Sequence, residues 1–115
     1  MLEGMPAQSL SFEVDRGHDG VPCLVVGGEI DLTTAAAFEA AAVALLDERP
    51  SALVLDLRGV PFCDSSGIGV LVRLYNRATV IGCRISVRQP TANVRAILEM
   101  TALTRIFPIE DQAKP

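Results

Sequence analysis

Two short stretches of this chain place polar side chains where they could do chemistry. The first is Asp64-Ser65-Ser66-Gly67-Ile68-Gly69, directly after the apolar run Leu53-Val54-Leu55-Asp56-Leu57 and a short loop. A carboxylate and two hydroxyls at a strand-to-helix junction can accept hydrogen bonds from the unpaired N–H groups of the first helical turn, so Asp64 and Ser65 are both cap candidates. Gly67 and Gly69 each lower helix propensity by about 0.8–1.0 kcal/mol against alanine. Their missing side chains would let another backbone or a phosphate approach closely. The second stretch is Gly28-Glu29-Ile30-Asp31-Leu32-Thr33-Thr34, where Asp31, Thr33 and Thr34 are alternative caps of another helix. If both junctions lie at one end of a sheet, they form a single acidic and hydroxylic patch.

Enzyme templates do not fit these residues. Ser65 lacks the Gly-x-Ser-x-Gly context of a nucleophile, and the single histidine, His18, falls in a turn-rich connector. No phosphate-binding Gly-x-x-x-x-Gly-Lys loop exists, because the single lysine is Lys114, and the dinucleotide fingerprint is missing too. Cys63 could serve as a redox handle, but no basic residue adjoins it to lower its pKa. Cys23, Cys63 and Cys83 are spaced for neither zinc nor a disulfide framework and read as small buried residues. No metal, no cofactor and no enzymatic activity are expected. The net charge of -4 opposes direct binding to nucleic acid. No apolar run reaches the roughly 18 to 20 residues that cross a bilayer, and the N-terminal residues do not resemble a signal peptide, so a cytoplasmic protein without membrane insertion is expected.

The elements that must position the two junctions follow from periodicity. Alternation predicts strands at Ser9–Asp15 and Val21–Val26, joined as a hairpin by the turn-rich segment between them. Apolar offsets of three and four predict a helix over Ala35–Leu46, buried along Ala35, Phe38, Ala42, Leu45 and Leu46. The run Ala52–Leu57 reads as a central strand covered on both faces. A second helix is predicted over Ser65–Val80, with Ile68, Leu71, Val72 and Tyr75 on one face and Arg73 and Arg77 on another. Cys83–Val87 alternates as a strand, and Thr91–Met100 reads as a third helix with Val94, Ile97 and Leu98 inward and an Arg95–Glu99 pair. Pro108 places a last short strand, Ile106–Ile109, at an edge or bulge. The fold class is therefore α/β, a mixed sheet with packed helices in the order β-β-α-β-α-β-α-β. One domain is expected over residues 1–115, with its core at about 9–109.

In Gly28-Glu29-Ile30-Asp31, in Val54-Leu55-Asp56-Leu57, and above all in Phe62-Cys63-Asp64-Ser65-Ser66-Gly67-Ile68-Gly69-Val70-Leu71, the chain resembles the bacterial anti-sigma factor antagonists, which are single-domain STAS proteins. The similarity runs from about Leu10 to Ile109 with the same order of elements. It implies a partner switch in which Ser65 is phosphorylated by an anti-sigma factor with serine-kinase activity. ATP would be the kinase's ligand. The unmodified protein would bind the anti-sigma factor and free a sigma factor, and a PP2C-type phosphatase would restore that form. The resemblance also implies that Asp31 lies beside the acceptor and contributes to partner recognition; a binding surface is expected to include Thr33, Asp64, Ser66 and Gly67 as well, with the exposed side of the second helix, including Val70, Arg73, Leu74 and Arg77, as the neighbouring docking face. A monomer or weak dimer is expected. Two alternative roles use the same fold: a subunit of a lipid-transport ATPase assembly, and a scaffold or sensor in a stress-signalling complex. Cys63 stands where the family commonly has a bulkier apolar residue, Pro61 stiffens the approach to the serine loop, and the tail after Glu110 is short for the family's usual last helix.

Overall fold

Strand alternation sends Leu24, Val26, Leu53, Leu55, Leu57, Ile85 and Val87 to one side of a sheet, where they form a continuous core with Phe38, Leu46, Leu71, Leu74, Val94 and Leu98 from the helices. The computed structural model describes residues 10–17 and 19–111. Ser9, His18 and Lys114 lie outside the described residues. The strands are β1 (Ser11–Asp15), β2 (Cys23–Gly27), β3 (Ala52–Gly59), β4 (Arg84–Arg88) and β5 (Ile109–Glu110). The helices are α1 (Ala35–Leu46), α2 (Ser65–Val80) and α3 (Ala92–Met100), followed by a short 3-10 turn at Leu103–Arg105. The order matches the expected β-β-α-β-α-β-α-β.

The sheet runs β1-β2-β3-β4-β5, with β1 antiparallel to β2 and the remaining neighbours parallel. Each parallel step needs a crossover, which α1, α2 and α3 supply. The predicted stripe of α1 is the buried one. In α2 the buried stripe is Gly67, Val70, Leu71, Leu74 and Ala78, while Val72 is exposed and Ile68 and Tyr75 are half-buried. The expected face of α2 is therefore rotated only in part from the buried one: Leu71 belongs to both and Ile68 and Tyr75 pack against the core, while Val72 faces solvent. Two overlapping apolar rows are available on that helix, and the row nearer the sheet and α1 is the one that packs.

The helices cover a single face of the sheet. The middle of β3 is nevertheless buried on both faces, as expected for the central strand. On the helix-free side Asp56 is only 3% exposed, and Cys23 and Val54 are buried beside it. Neighbouring strands shield them there. Cys23 pairs in register with Val54, and Asp56 with Arg88. This side opens onto a groove of about 630 Å³ lined by strand, turn and connector residues, among them Asp15, Cys23, Val54, Arg84, Arg88 and Glu110. Arg95 pairs with Asp111, not with Glu99, because the chain end returns along β5 within reach of α3. The final strand is the edge expected from Pro108, displaced to Ile109–Glu110 because the N–H groups of Ile106 and Phe107 are spent on the Leu103 carbonyl in the exit from the 3-10 turn.

Candidate functional site

Two loops at the carboxyl ends of β2 and β3 are held together by backbone hydrogen bonds. The Gly28 N–H donates to the Gly59 carbonyl (2.9 Å), Ile30 N–H to the Phe62 carbonyl (3.0 Å), and Asp64 N–H to the Ile30 carbonyl (3.0 Å). Ile30 and Cys63 thus form a parallel bridge beyond the strands proper. Gly28 makes this possible with φ 110, a conformation that L side chains rarely adopt. The two polar junctions therefore lie at the same end of the sheet, as the expected single patch requires.

Asp64 is the cap of α2. Its Oδ1 accepts from the N–H of Ser66 (2.8 Å) and more distantly from that of Gly67 (3.4 Å). This settles which of the two candidates caps the helix, and it leaves Ser65 as the first helical residue, exposed to solvent. Among the described residues no hydrogen bond engages the Ser65 hydroxyl. Ser66 beside it is half-buried.

Gly67 has a different role from the one expected. It is buried, and a Cβ there would stand 2.6 Å from Ile30 Cγ2 and closer still to Cys63 Sγ. Its missing side chain admits the protein's own packing, so it offers no surface to a phosphate or a partner. Val70 at 0% exposure and Leu74 at 1% are likewise core residues, which corrects their placement on the docking surface. They lie in the α2 row that meets the sheet and α1.

Asp31 does not cap α1 either. Its Oδ1 accepts from the Thr33 N–H (2.9 Å) and the Thr33 hydroxyl (2.7 Å), closing a local turn. The Thr33 hydroxyl, with these further hydrogen bonds, holds the Asp31 carboxyl below the usual carboxylate range. Thr34 is buried and spends its hydroxyl on the loop, accepting from the Asp31 N–H and donating to the Glu29 carbonyl (both 2.9 Å). Asp31 and Thr33 thus stay at the surface as one preformed acidic and hydroxylic pair.

Burial pushes the Cys63 thiol up to about 11, and the neighbouring Asp64 charge adds to the shift. That argues against a redox handle, because the reactive species is the thiolate. All three cysteines are buried, as their spacing suggested. Among the described residues no group of His, Cys, Asp and Glu side chains is arranged to hold a metal ion. No helix among them is long and apolar enough to cross a membrane.

Two features of the site had no signal in the sequence. Leu32 is 80% exposed beside Asp31 and Phe62 is 44% exposed on the serine loop, so an apolar rim flanks the hydroxyls. Glu39 of α1 clamps Arg73 of α2 through Nε to Oε2 (3.0 Å) and Nη2 to Oε1 (2.9 Å). The pair is separated by 34 residues and has no local spacing to reveal it. The Arg73 guanidinium holds the Glu39 carboxyl below its ordinary range.

Comparison with known proteins gives these residues a context. The family model described as "Mlab, STAS domain" matches residues 14–109. An anti-sigma F factor antagonist of Paenibacillus polymyxa is 30% identical over 104 residues, covering 90% of this chain and 88% of that one. The anti-sigma-F factor antagonist RsfB of Mycobacterium tuberculosis is 50% identical over 54 residues, so the match spans less than half of either protein, 47% of this chain and 44% of RsfB. The crystal structure of an anti-sigma factor antagonist from Mycobacterium paratuberculosis superposes with a TM-score of 0.75 at 35% identity, over 90% of this chain and 86% of that one.

Proposed function

The chain belongs to the STAS domain family, and from that premise we propose that it is an anti-sigma factor antagonist controlled by phosphorylation of Ser65. The single observation that carries this reading is the position of Ser65. Its hydroxyl is exposed and released from capping by Asp64, at the first position of α2 and beside the Asp31 loop. A helix cap would need that oxygen turned inward, whereas an acceptor for another protein's active site needs it free.

The unmodified protein binds an anti-sigma factor with serine-kinase activity and so frees a sigma factor. Contacts come from Asp31, Thr33, Asp64, Ser66 and Arg73, with Leu32 and Phe62 as the apolar anchors in place of the buried Val70 and Leu74. The kinase transfers the γ-phosphoryl group of its own ATP to Ser65 Oγ, releasing ADP and the hydroxyl proton. A PP2C-type phosphatase hydrolyses the ester with water to regenerate the serine and inorganic phosphate. The chain acts as one domain, and it supplies the acceptor while the partners supply the catalysis.

Electrostatics account for the release. The phosphoryl group adds about -1.5 to -2 charges next to Asp64 and near Asp31. A partner that buries this spot must desolvate the new charge against existing ones, and each 1.4 kcal/mol so lost weakens binding about tenfold.

The test is capture of native partners by wild type, Ser65→Ala and Ser65→Asp, with mass spectrometry for identity and circular dichroism for folding. Wild type and Ser65→Ala should retain a kinase-like anti-sigma factor that Ser65→Asp releases. Equal retention of that factor by all three sinks the switch, and equal retention of a membrane ATPase makes the domain a constitutive subunit of a transporter.

A further inference from the structure

Arg73 lies two turns after Ser65, with Gly69 between them on the same stripe of α2. Side chains on a helix lean toward its N-terminus, so Arg73 reaches back along that stripe. A Cβ built on Gly69 would lie 3.4 Å from Arg73 Nη1, which places that nitrogen over Gly69, on the side nearer the acceptor. Glu39 occupies Nε and Nη2 from the α1 side. Among the described residues Nη1 has no hydrogen-bond partner. From Gly69 to Ser65 the helix rises only about 6 Å, and Gly69 has no side chain to block the path.

We infer that Arg73 is a phosphate clamp: Nη1 receives the phosphoryl group carried by Ser65 while Glu39 keeps the guanidinium in place. The inference rests on phosphorylation of Ser65 and adds the residue that meets the product. Guanidinium suits the task because it stays charged and offers parallel donors to phosphate oxygens. The pair with Glu39 fixes the rotamer beforehand, so little side-chain freedom is lost when the phosphate arrives. The groups facing the phosphate are then Arg73 and the α2 N-terminus, which attract it, and Asp64 and the Asp31 loop, which oppose it. Glu39 and Arg77 lie beyond Arg73. Phosphorylation would therefore change the local surface in two ways, by adding charge at Ser65 and by withdrawing the free face of Arg73 from a partner.

The experiment encodes phosphoserine directly at position 65 of the full chain and follows the phosphate by phosphorus NMR across pH. Arg73→Met should raise its second ionisation by about half a unit, a threefold change in proton affinity, because one nearby cation is lost. Arg73→Lys should give a smaller shift, keeping the charge without the fork. Arg77→Met, a turn farther away, should leave the value where it is in the unsubstituted phosphoprotein. Raising the salt should shrink the Arg73 effect. No change in Arg73→Met, or equal shifts from Arg73→Met and Arg77→Met, overturns the clamp. Because the phosphate is encoded, that failure is separate from failure of the switch, which is read from partner retention by Ser65→Asp.

Discussion

Gly67 and Gly69 look equivalent as letters and differ in what surrounds them. At Gly67 a methyl group would collide with Ile30 and Cys63, both buried in the bridge between the loops. At Gly69 it would meet only the far end of the flexible Arg73 side chain. Gly67→Ala should therefore lower stability by about 1–3 kcal/mol through overpacking. Gly69→Ala should raise it by about 0.5–1 kcal/mol, since alanine favours the helix. Urea unfolding of the two variants decides the matter, and equal effects would mean that the first turn of α2 is not packed as described. Cys63 makes a second prediction. Its thiol ionises near 9 in an ordinary setting and near 11 when buried here. Below about 9 both folded and unfolded chains carry the thiol, and its burial contributes fully. As pH rises toward 11 the unfolded chain ionises first, so stability falls. That decline should be shallower in Cys63→Ala, measured as unfolding free energy at several alkaline pH values.

At the scale of elements, α2 is both a packing unit and the mount of the proposed acceptor, and its first turn divides capping and exposure between neighbours. Asp64 satisfies the open N–H groups, and Ser65 remains available. Asp64→Ala should cost about 1 kcal/mol of stability, whereas Ser65→Ala should stay within about 0.5 kcal/mol of wild type. Thermal unfolding of both variants tests this division, and a larger loss from Ser65→Ala would make the serine structural. The Glu39–Arg73 pair joins α1 to α2 two turns farther along the helix. An exposed ion pair of this kind adds little to stability.

Across the whole molecule, the parallel strands β2 and β3 deliver their exits to the same end, and the bridge from Ile30 to Cys63 extends their pairing into the loops. Ser65 therefore follows directly on this bridged junction, yet it lies outside the core that the helices form over one face of the sheet. A charge at Ser65 enters solvent and does not disturb Phe38, Leu55 or Leu71. This separation explains why Ser65→Asp is expected to change partner affinity while leaving the circular dichroism spectrum unchanged, the control already required by the capture experiment. The helix-free face, with its buried Asp56 and Arg88–Glu110 pair, lies on the other side of the sheet from this core.

Periodicity alone determined the order of elements, the exact limits of α1 and α2, and the buried stripe of α1, because these depend on local spacing of apolar side chains. The local chemistry of Asp64-Ser65-Ser66-Gly67 also marked the capped start of α2. Tertiary structure decided which carboxylate or hydroxyl caps α2, which of two apolar rows on that helix turns inward, and that Val70 and Leu74 are core and not surface. It also paired Arg73 with Glu39 and Arg95 with Asp111, leaving Glu99 without the expected partner. Helical spacing fixes which residues share a face, but only the neighbours brought in from distant sequence fix which face is buried and which charges meet.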